Sequence, residues 1–439
     1  MQVFGRFFRF SQKQYNVRIM MNKTMKSMAL VGMASLMAAC GSTKKADSSM
    51  VVTKPAPGME MDAAFGQPAD NDLVAKNNTF AWNLFKQVAQ QDNKVVSPLS
   101  VTYLMSVLAN GANGETQQEI LRTLGWKGVS LSDINTNSSE QLSELIKADP
   151  STVISIANYI ACNKEYELKS GFAKNVAAHY QATMQKLDFS NPKTLETING
   201  WCDKQTKGMI PQIIDQVEPS ALSYILNAIY FNGAWTDKFN KDRTQLENFR
   251  GYTRNIQKVQ MMHRKANYYY GFNDVCAALN LPYGNGSYRM TVLLPNEDKS
   301  IQDVLNAMTP QRLQVMTQQM AEYRVDVKLP RFTTETTLPL NDVVAKLGAS
   351  SMFQAGKADF SNMADGGFFV SKMLQKAKIE VTEEGTKAAA VTAAVMMRAA
   401  APGDEPRSVD FHCDRPFLYV ISESHSGAIL FMGQFTGNE

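Results

Sequence analysis

The side chains in this sequence that are best suited to catalysis or metal binding are four histidines and five cysteines. The histidines are His179, His263, His412 and His425, and none belongs to an H-E-x-x-H motif. The sequence also lacks a P-loop and the G-x-S-x-G turn that exposes a nucleophilic serine. No group of residues has the spacing of metal ligands. We therefore expect neither a catalytic constellation nor a bound metal or cofactor.

The adjacent residues His412 and Cys413 are the one pair that could form an activated thiol. Neighbouring residues of a strand point to opposite faces of the sheet, so we expect a packed thiol beside a surface imidazole. Cys162, Cys202 and Cys276 have no C-x-x-C partner either. The pattern favours buried free thiols, and it leaves open disulfide pairing in an exported protein.

Cys40 differs from the other cysteines because it follows a targeting segment. Lys23 and Lys26 precede an uncharged run, Met28–Ala39, that is too short for a transmembrane helix but suits a signal peptide. Small residues directly before Cys40 resemble a bacterial lipobox, although Met37 stands where an aliphatic residue is usual. We expect Cys40 to be lipidated, and an ordinary cleaved signal is the alternative.

The chain divides into three parts by composition. We interpret residues 1–39 as the signal peptide, with Met21 as the more natural start, and residues 40–70 as a tether rich in small and polar residues. Residues 71–439 form the folded domain. Several acyl chains on Cys40 would hold the protein firmly at a membrane. The expected location is the bacterial cell envelope, at the outer membrane, facing either the periplasm or the outside.

The formal net charge of +4 comes from the leader. Residues 1–39 carry six basic side chains and no acid, so the rest of the chain has a net charge of about −2. A near-neutral folded part offers no electrostatic footprint for nucleic acid. We therefore exclude nucleic acid as a partner.

The folded part begins with helices and ends with strands. Apolar residues at helical spacing predict a first helix around Phe80–Val88. Ser97 and Pro98, an N-cap and a first-turn proline, predict a second helix that ends near Gly111. Runs of apolar or alternating residues predict strands, the last two forming a hairpin, at Tyr288–Leu294, Tyr323–Leu329, Phe417–Ile421 and Ala428–Met432. The segregation of helices and strands predicts an α+β fold.

Eight stretches from about residue 72 onward resemble the serpin family in order and spacing. They are NKVVSPLS (93–100), GANGET (111–116), INGW (198–201), QTKGMI (205–210), LNAIYFNGAW (226–235), LPY (281–283), VKLPRF (327–332) and DRPF (414–417). The resemblance implies one monomeric domain with a large central mixed β-sheet, additional sheets and a shell of helices. It also implies an exposed reactive-centre loop near the C-terminus.

In the serpin family this loop is a bait for proteases. The target attacks the loop through its own serine and is joined to it as an acyl-enzyme. The cut loop then inserts into the central sheet as a new strand and distorts the protease before hydrolysis is complete. The resemblance implies that this chain is such an inhibitor, with its loop at about 383–409. It places the hinge of the loop at Glu383, Glu384, Gly385, Thr386, Lys387, Ala388, Ala389, Ala390 and Val391.

The composition of the hinge suits insertion into a sheet. It contains no proline, which would remove a ladder hydrogen bond. Side chains alternate between faces. In the family register Thr386, Ala388 and Ala390, all small, share the face that would be buried, while Lys387, where many serpins have an acid, faces outward with Ala389 and Val391. From composition alone, an alanine-rich helix is the alternative. Proline or charge at Ala388–Val391 would instead indicate a non-inhibitory carrier or chaperone.

The bond that the target cuts is expected near Ala399. Family spacing of seventeen residues from Glu383 predicts cleavage between Ala399 and Ala400, and a small residue at Ala399 would suit an elastase-like protease. Arg398 is the alternative, with cleavage between Arg398 and Ala399. It would suit a trypsin-like protease or an Arg-specific cysteine protease. A nearby Met or Ala, and a papain-like cysteine protease as target, remain open.

The resemblance also assigns residues beneath the central sheet. Ser97, Ser100 and Asn227 match a polar cluster that holds the sheet closed, and Trp235 matches a tryptophan near the insertion point. Gln375 stands where many serpins have a histidine in that cluster. Because glutamine both donates and accepts hydrogen bonds, we expect the cluster to remain satisfied. A simple helix-capping role for Ser97 is the alternative and is compatible with membership of the cluster.

Overall fold

The computed structural model describes residues 72–386 and 407–438. Several predictions lie outside the described residues: the signal peptide and tether, the lipidation of Cys40, the hinge residues Lys387–Val391, and the reactive-bond residues Arg398, Ala399 and Ala400. The first four hinge residues and all five residues assigned to the polar cluster and the insertion point are described.

Helices dominate the first part of the described chain and cover the sheets. The predicted first and second helices are confirmed, and the second ends at Gly111 as expected. No helix of the described residues is long and apolar enough to cross a membrane. The helices are α1 (Asp72–Val88), α2 (Pro98–Gly111), α3 (Gly114–Thr123), α4 (Leu131–Lys147), α5 (Ser170–Tyr180), α6 (Lys193–Gln205), α7 (Ile301–Ala307), α8 (Pro310–Gln318) and α9 (Asn341–Leu347).

Strands dominate the second part, and the four predicted strands are confirmed with boundaries shifted by one or a few residues. Two single-turn 3₁₀ helices interrupt them at Lys241–Arg243 and Ser351–Phe353. The strands are β1 (Lys94–Val96), β2 (Val153–Asn163), β3 (Thr183–Leu187), β4 (Ser223–Ala234), β5 (Gln245–Arg250), β6 (Ile256–Phe272), β7 (Cys276–Tyr283), β8 (Tyr288–Pro295), β9 (Ala321–Pro330), β10 (Phe332–Pro339), β11 (Lys372–Thr382), β12 (Gly385–Thr386), β13 (Ser408–His412), β14 (Phe417–Glu423) and β15 (Ile429–Phe435).

Two sheets organise these strands. The six-stranded sheet has the order β10-β11-β12-β4-β2-β3 and mixes parallel with antiparallel pairs. The nine-stranded sheet has the order β1-β15-β14-β8-β7-β6-β9-β13, with β5 paired to β6. Its predicted hairpin, β14 with β15, is antiparallel. The strands pair in both parallel and antiparallel directions, and strands and helices do not alternate regularly along the chain. This arrangement confirms the α+β prediction.

Helices α2 and α6 lie on opposite faces of the six-stranded sheet. α2 is buried along nearly its whole length and contacts β4 and β2 as well as β15 of the other sheet. α6 contributes Ile198 and Cys202 to a separate apolar cluster on the outer face, against Tyr159 and Leu226. A sheet covered on both faces explains why β4 is apolar over most of its length rather than alternating.

Candidate functional site

The six-stranded sheet is split at one end by the start of the predicted loop. β11 and β4 pair with each other in parallel from Lys372–Ala377 to Tyr224–Ile229. Beyond this ladder β12 lies between them and is antiparallel to both, with Thr386 opposite Val381 of β11 and Gly233 of β4. The slot that β12 occupies leads directly to the ladder that would have to open for more of the chain to enter.

Gly385 is the residue that lets the chain turn into this slot. Its φ is +146°, a conformation that side chains rarely allow. A Cβ at this position would lie 2.2 Å from the carbonyl oxygen of Gly233 and 2.6 Å from the Cα of Ala234. Both atoms are backbone, so no side chain can move aside. The hinge therefore requires glycine here for a steric as well as a conformational reason.

Thr386 is fully buried at the mouth of the slot. Its hydroxyl shares a hydrogen bond of 2.7 Å with the phenol of Tyr283, and burial raises the pKa of that phenol far above its usual range. Trp235 stacks on Tyr283 with ring centroids 4.4 Å apart, and its indole N–H donates to the carbonyl of Thr382 at 2.9 Å. Trp235 therefore lies beside the start of the predicted hinge, in contact with Thr382 and Tyr283.

Glu383 and Glu384 fix the turn that joins β11 to β12. The buried Glu383 carboxylate accepts a hydrogen bond from the Thr244 hydroxyl at 2.8 Å. Glu384 forms ion pairs with Lys238 at 2.7 Å and Lys241 at 3.2 Å. The hydrogen bond from Lys238 is the main cause that holds the pKa of Glu384 below its ordinary value of 4.5. These contacts tie the hinge to the chain that follows β4.

The predicted polar cluster lies beneath the closed part of the slot and is buried completely. Gln375 of β11 accepts from the Ser97 amide and donates to the Ser97 carbonyl, both at 2.9 Å. Its Nε2 also donates to Oδ1 of Asn227, on β4, at 2.9 Å. The Ser100 hydroxyl donates to the same Asn227 oxygen at 2.6 Å. The substitution of histidine by Gln375 thus leaves the cluster satisfied, as expected.

Ser97 occupies the N-cap position of α2 but does not cap the helix with its side chain. Its hydroxyl donates instead to the carbonyl of Leu430 at 2.7 Å, on β15. The helix-capping interpretation is therefore wrong for the side chain, because the buried carbonyl of the neighbouring sheet needs the donor. Ser97 consequently ties α2 to both sheets at once.

Besides Thr244 and Lys241, which bind Glu383 and Glu384, three more residues contribute to this site and were not identified from the sequence. Asn158 of β2 accepts a 2.8 Å hydrogen bond from the Asn227 side chain, so the cluster extends across β4. Tyr283 binds Thr386, and Lys238 binds Glu384. Tyr283 stands within the LPY stretch, which carried the family resemblance, and that was the one available signal. Asn158 and Lys238 stand in none of those stretches.

The remaining candidate nucleophiles are inert. The four cysteines of the described residues are buried and free. Burial raises the pKa of Cys162, Cys202 and Cys276 to about 12, and it raises that of Cys413 further. Cys413 is fully buried, whereas the neighbouring His412 keeps 34% of its side chain exposed. The expected arrangement of a packed thiol beside a surface imidazole is confirmed.

Comparison with known proteins identifies the architecture. The family model described as serpin (serine protease inhibitor) matches residues 75–437. Serpin B6 of Macaca fascicularis is 33% identical over 379 residues, which span 83% of this chain and 99% of that protein. The human leukocyte elastase inhibitor is 31% identical over 380 residues, with the same coverage. The native-state structure of the thermophilic serpin tengpin superposes with a TM-score of 0.77 at 27% identity, covering 85% of this chain and 96% of that one.

The chain is a serpin. It is therefore a protease inhibitor, and the split sheet, hinge and polar cluster are the parts with which serpins act as suicide substrates. In that mechanism the protease cuts the loop, remains attached as an acyl-enzyme and is inactivated when the loop enters the central sheet. In this serpin the last two described residues of the predicted hinge, Gly385 and Thr386, already lie within the six-stranded sheet.

Proposed function

We propose that this serpin traps elastase-like serine proteases by inserting the residues that follow Thr386 between β11 and β4. The register of β12 carries the proposal, since it is antiparallel to both neighbours. If insertion continues in this register, each parallel pair between β11 and β4 is replaced by two antiparallel pairs. Antiparallel pairing is slightly more stable per residue than parallel pairing, and the number of pairs doubles. The inserted sheet is therefore the more stable one.

The register also explains how the polar cluster can open without leaving buried groups unsatisfied. Counting six residues on from Thr386 brings Thr392 opposite both Gln375 and Asn227. Insertion must break the hydrogen bond between these two side chains. A threonine hydroxyl both donates and accepts, so Thr392 can bond to either partner. An unsatisfied buried amide would otherwise cost about 1–3 kcal/mol.

The unusual Lys387 fits the same register. It would lie opposite Glu380 of β11, a partly exposed residue on the outer face of the sheet. Opposite charges that face each other across a ladder stabilise it by about 0.2–1 kcal/mol. The lysine that departs from the family pattern therefore favours insertion in this chain.

The proposed reactive bond is Ala399–Ala400, and the proposed targets are elastase-like enzymes. Family spacing from Glu383 and the small side chain of Ala399 support this assignment. The human relative named leukocyte elastase inhibitor supports the same class of target. Cleavage after Arg398 would instead direct the serpin at trypsin-like proteases, or at Arg-specific or papain-like cysteine proteases.

We also propose that the serpin acts as a monomer at the bacterial cell envelope. The leader with its lipobox-like end at Cys40 supports export and lipid anchoring, and the tether would let the domain reach its targets from the membrane. Replacing Cys40 with serine should release the protein from the membrane fraction. Retention of the variant in that fraction would contradict a lipid anchor.

A mixing experiment tests the trapping proposal. The mature chain with Cys40→Ser would be incubated with pancreatic elastase and, separately, with trypsin, and the products followed by denaturing gels and mass spectrometry. We expect a band with elastase at the summed mass, together with a released peptide that begins at Ala400. A peptide beginning at Ala399 would assign the bond to Arg398.

Arg398→Ala is the matched variant. It should leave the elastase complex unchanged and abolish any complex with trypsin. Clean cleavage by both enzymes without a covalent complex would contradict trapping of serine proteases. Cysteine proteases would then be the next targets to try, and the carrier alternative would be favoured.

A further inference from the structure

Two aspartates and a histidine converge at the edge of the nine-stranded sheet. β13 is the terminal strand there and pairs in parallel with β9, which places Asp410 directly opposite Asp326. His412 follows Asp410 by two residues and therefore points to the same face. One ligand atom from each of the three side chains lies within 4.8 Å of the other two. The sequence did not reveal this group, because Asp326 and Asp410 are far apart along the chain.

The protein balances the charges of this group only in part. Lys265 of β6 lies directly opposite Asp326, whereas Asp410, on the terminal strand, has only Asp326 opposite it. Like charges directly opposite each other on neighbouring strands destabilise a sheet. Among the described residues, no lysine or arginine forms an ion pair with Asp326 or Asp410. The cations on the same face of β9 are engaged elsewhere: Arg324 donates to Asn267 and Lys328 binds Glu247.

The His412 side chain is partly exposed, but its inward-facing nitrogen is a second observation at this group. Its Nε2 atom is buried and has no hydrogen-bond partner among the described residues. The nearest acceptor, Oδ1 of Asp326, is 4.0 Å away, which is too far for a hydrogen bond. A buried ring nitrogen without a partner destabilises the folded protein unless something binds it. A metal ion between the imidazole and the carboxylates would satisfy all three groups.

We propose that Asp326, Asp410 and His412 bind a divalent first-row transition metal ion such as Zn²⁺. An imidazole nitrogen favours Zn²⁺ and its neighbours over Mg²⁺ or Ca²⁺, and the absence of thiolate ligands disfavours Cu(I). Metal–ligand bonds of about 2.1 Å place tetrahedral ligand atoms about 3.4 Å apart. The three ligand atoms, which lie within 4.8 Å of one another, would have to move closer together to reach that spacing, and water would complete the coordination.

The proposed metal site lies at the edge of the nine-stranded sheet, where a bound ion would hold strand β13 to strand β9. β13 is hydrogen-bonded to the sheet through β9 alone. Along the chain, it is the first described strand after the predicted reactive loop. A metal shared by Asp326 of β9 with Asp410 and His412 of β13 cross-links this edge strand to its neighbour. The ion therefore fixes the C-terminal end of the loop and resists detachment of β13. This inference does not depend on which protease is trapped.

Metal titration of the full mature chain, without an affinity tag and with Cys40→Ser, tests the proposal. We expect Zn²⁺ to bind with a stoichiometry of one by calorimetry and to raise the melting temperature by several degrees over protein in EDTA. Co²⁺ should give visible absorption bands that Zn²⁺ abolishes. His263→Asn is the matched control, because it removes an imidazole of the same sheet that pairs with Glu247 outside the group. This control should bind Zn²⁺ as the parent does.

Asp410→Asn gives a signature that a purely structural role would not give. In EDTA this variant should melt at or above the parent, because the repulsion between Asp326 and Asp410 is removed. With Zn²⁺ the order should reverse, since the variant loses a ligand. His412→Ala should likewise lose the Zn²⁺ effect, and it serves as the second variant if Asp410→Asn folds poorly. Absence of saturable binding at millimolar Zn²⁺, or equal binding by the parent and both variants, would overturn the proposal.

Discussion

At the scale of single residues, the inhibitor depends on positions where neighbouring backbone or buried hydrogen bonds leave no freedom. Gly385 is enclosed by the backbone of Gly233 and Ala234, and Gln375 is enclosed by three hydrogen bonds. At Gly385 a larger side chain would clash with backbone atoms, and at Gln375 an apolar side chain would remove buried hydrogen bonds. Substitutions at the two positions should therefore fail in different ways.

Gly385→Ala should destabilise the native hinge. The new methyl group would approach the Gly233 carbonyl to 2.2 Å at a φ of +146°, and backbone strain of this kind costs about 1–3 kcal/mol. We expect urea unfolding to show a loss of that size. Gly171→Ala is the control, because nothing lies within 4 Å of its Cβ and its φ is not in the left-handed region. Equal stability of the two variants would contradict the role assigned to Gly385.

Gln375→Leu should weaken the closed sheet. It keeps the volume but leaves the Ser97 amide and one contact of Asn227 without a partner, each costing about 1–3 kcal/mol. We expect the free energy of unfolding to fall by about 2–4 kcal/mol in urea. Gln375→His keeps donor and acceptor and should lose much less. If the Gln375→Leu variant is as stable as the Gln375→His variant, the polar cluster does not hold the sheet closed.

The ion pairs of Glu384 predict how the hinge responds to pH. The pKa of Glu384 is lowered in the folded protein, so its contribution is present above its ordinary pKa of 4.5 and is lost as pH falls through the lower, folded value. We expect the parent to melt above Glu384→Gln near neutral pH. The two melting curves should converge once the pH falls below the lowered pKa of Glu384 in the folded protein. A difference that persists in acid would show that the carboxylate acts other than through its charge.

At the scale of elements, the sequence predicted the helices and strands whose apolar residues repeat at regular spacing. It did not predict elements that lack such a repeat. Helix α1 and the β14–β15 hairpin were predicted because their apolar residues repeat along the chain. β12 has two residues and no detectable pattern, so only the family resemblance indicated a hinge there. The choice of β11 and β4 as its neighbours depends on contacts between distant segments. Asn158 was missed for the same reason, since one asparagine carries no signal of its partner.

Thr386→Arg should convert the inhibitor into a substrate. Thr386 is the second residue of β12 and already lies, fully buried, between β11 and β4. An arginine there would be kept out of the slot by the cost of burying its charge, so insertion would have to bury that charge, which slows insertion and gives hydrolysis time to finish. We expect elastase to cleave the variant without forming a covalent complex on denaturing gels. Lys387→Gln is the control: in the proposed register this side chain would face outward and carries no charge, so complex formation should persist.

At the scale of the whole molecule, the proposed mechanism requires that the sheet with an inserted loop is more stable than the native sheet. The six-stranded sheet holds six parallel pairs between β11 and β4 in a place where a further antiparallel strand could lie. The α+β class and the domain were predicted from the sequence. A difference in stability between the intact and the cleaved form could not be predicted from residue patterns, because it compares two states of one sheet.

Thermal unfolding of the intact and the loop-cleaved protein tests this claim most directly. Cleavage by a catalytic amount of elastase, followed by calorimetry, compares the sheet before and after insertion. The account predicts that the cleaved serpin melts far above the intact one, and that cleaved Thr386→Arg gains little. If the cleaved wild-type protein melts at or below the temperature of the intact form, its loop does not complete the sheet and the trapping mechanism proposed for this chain is contradicted.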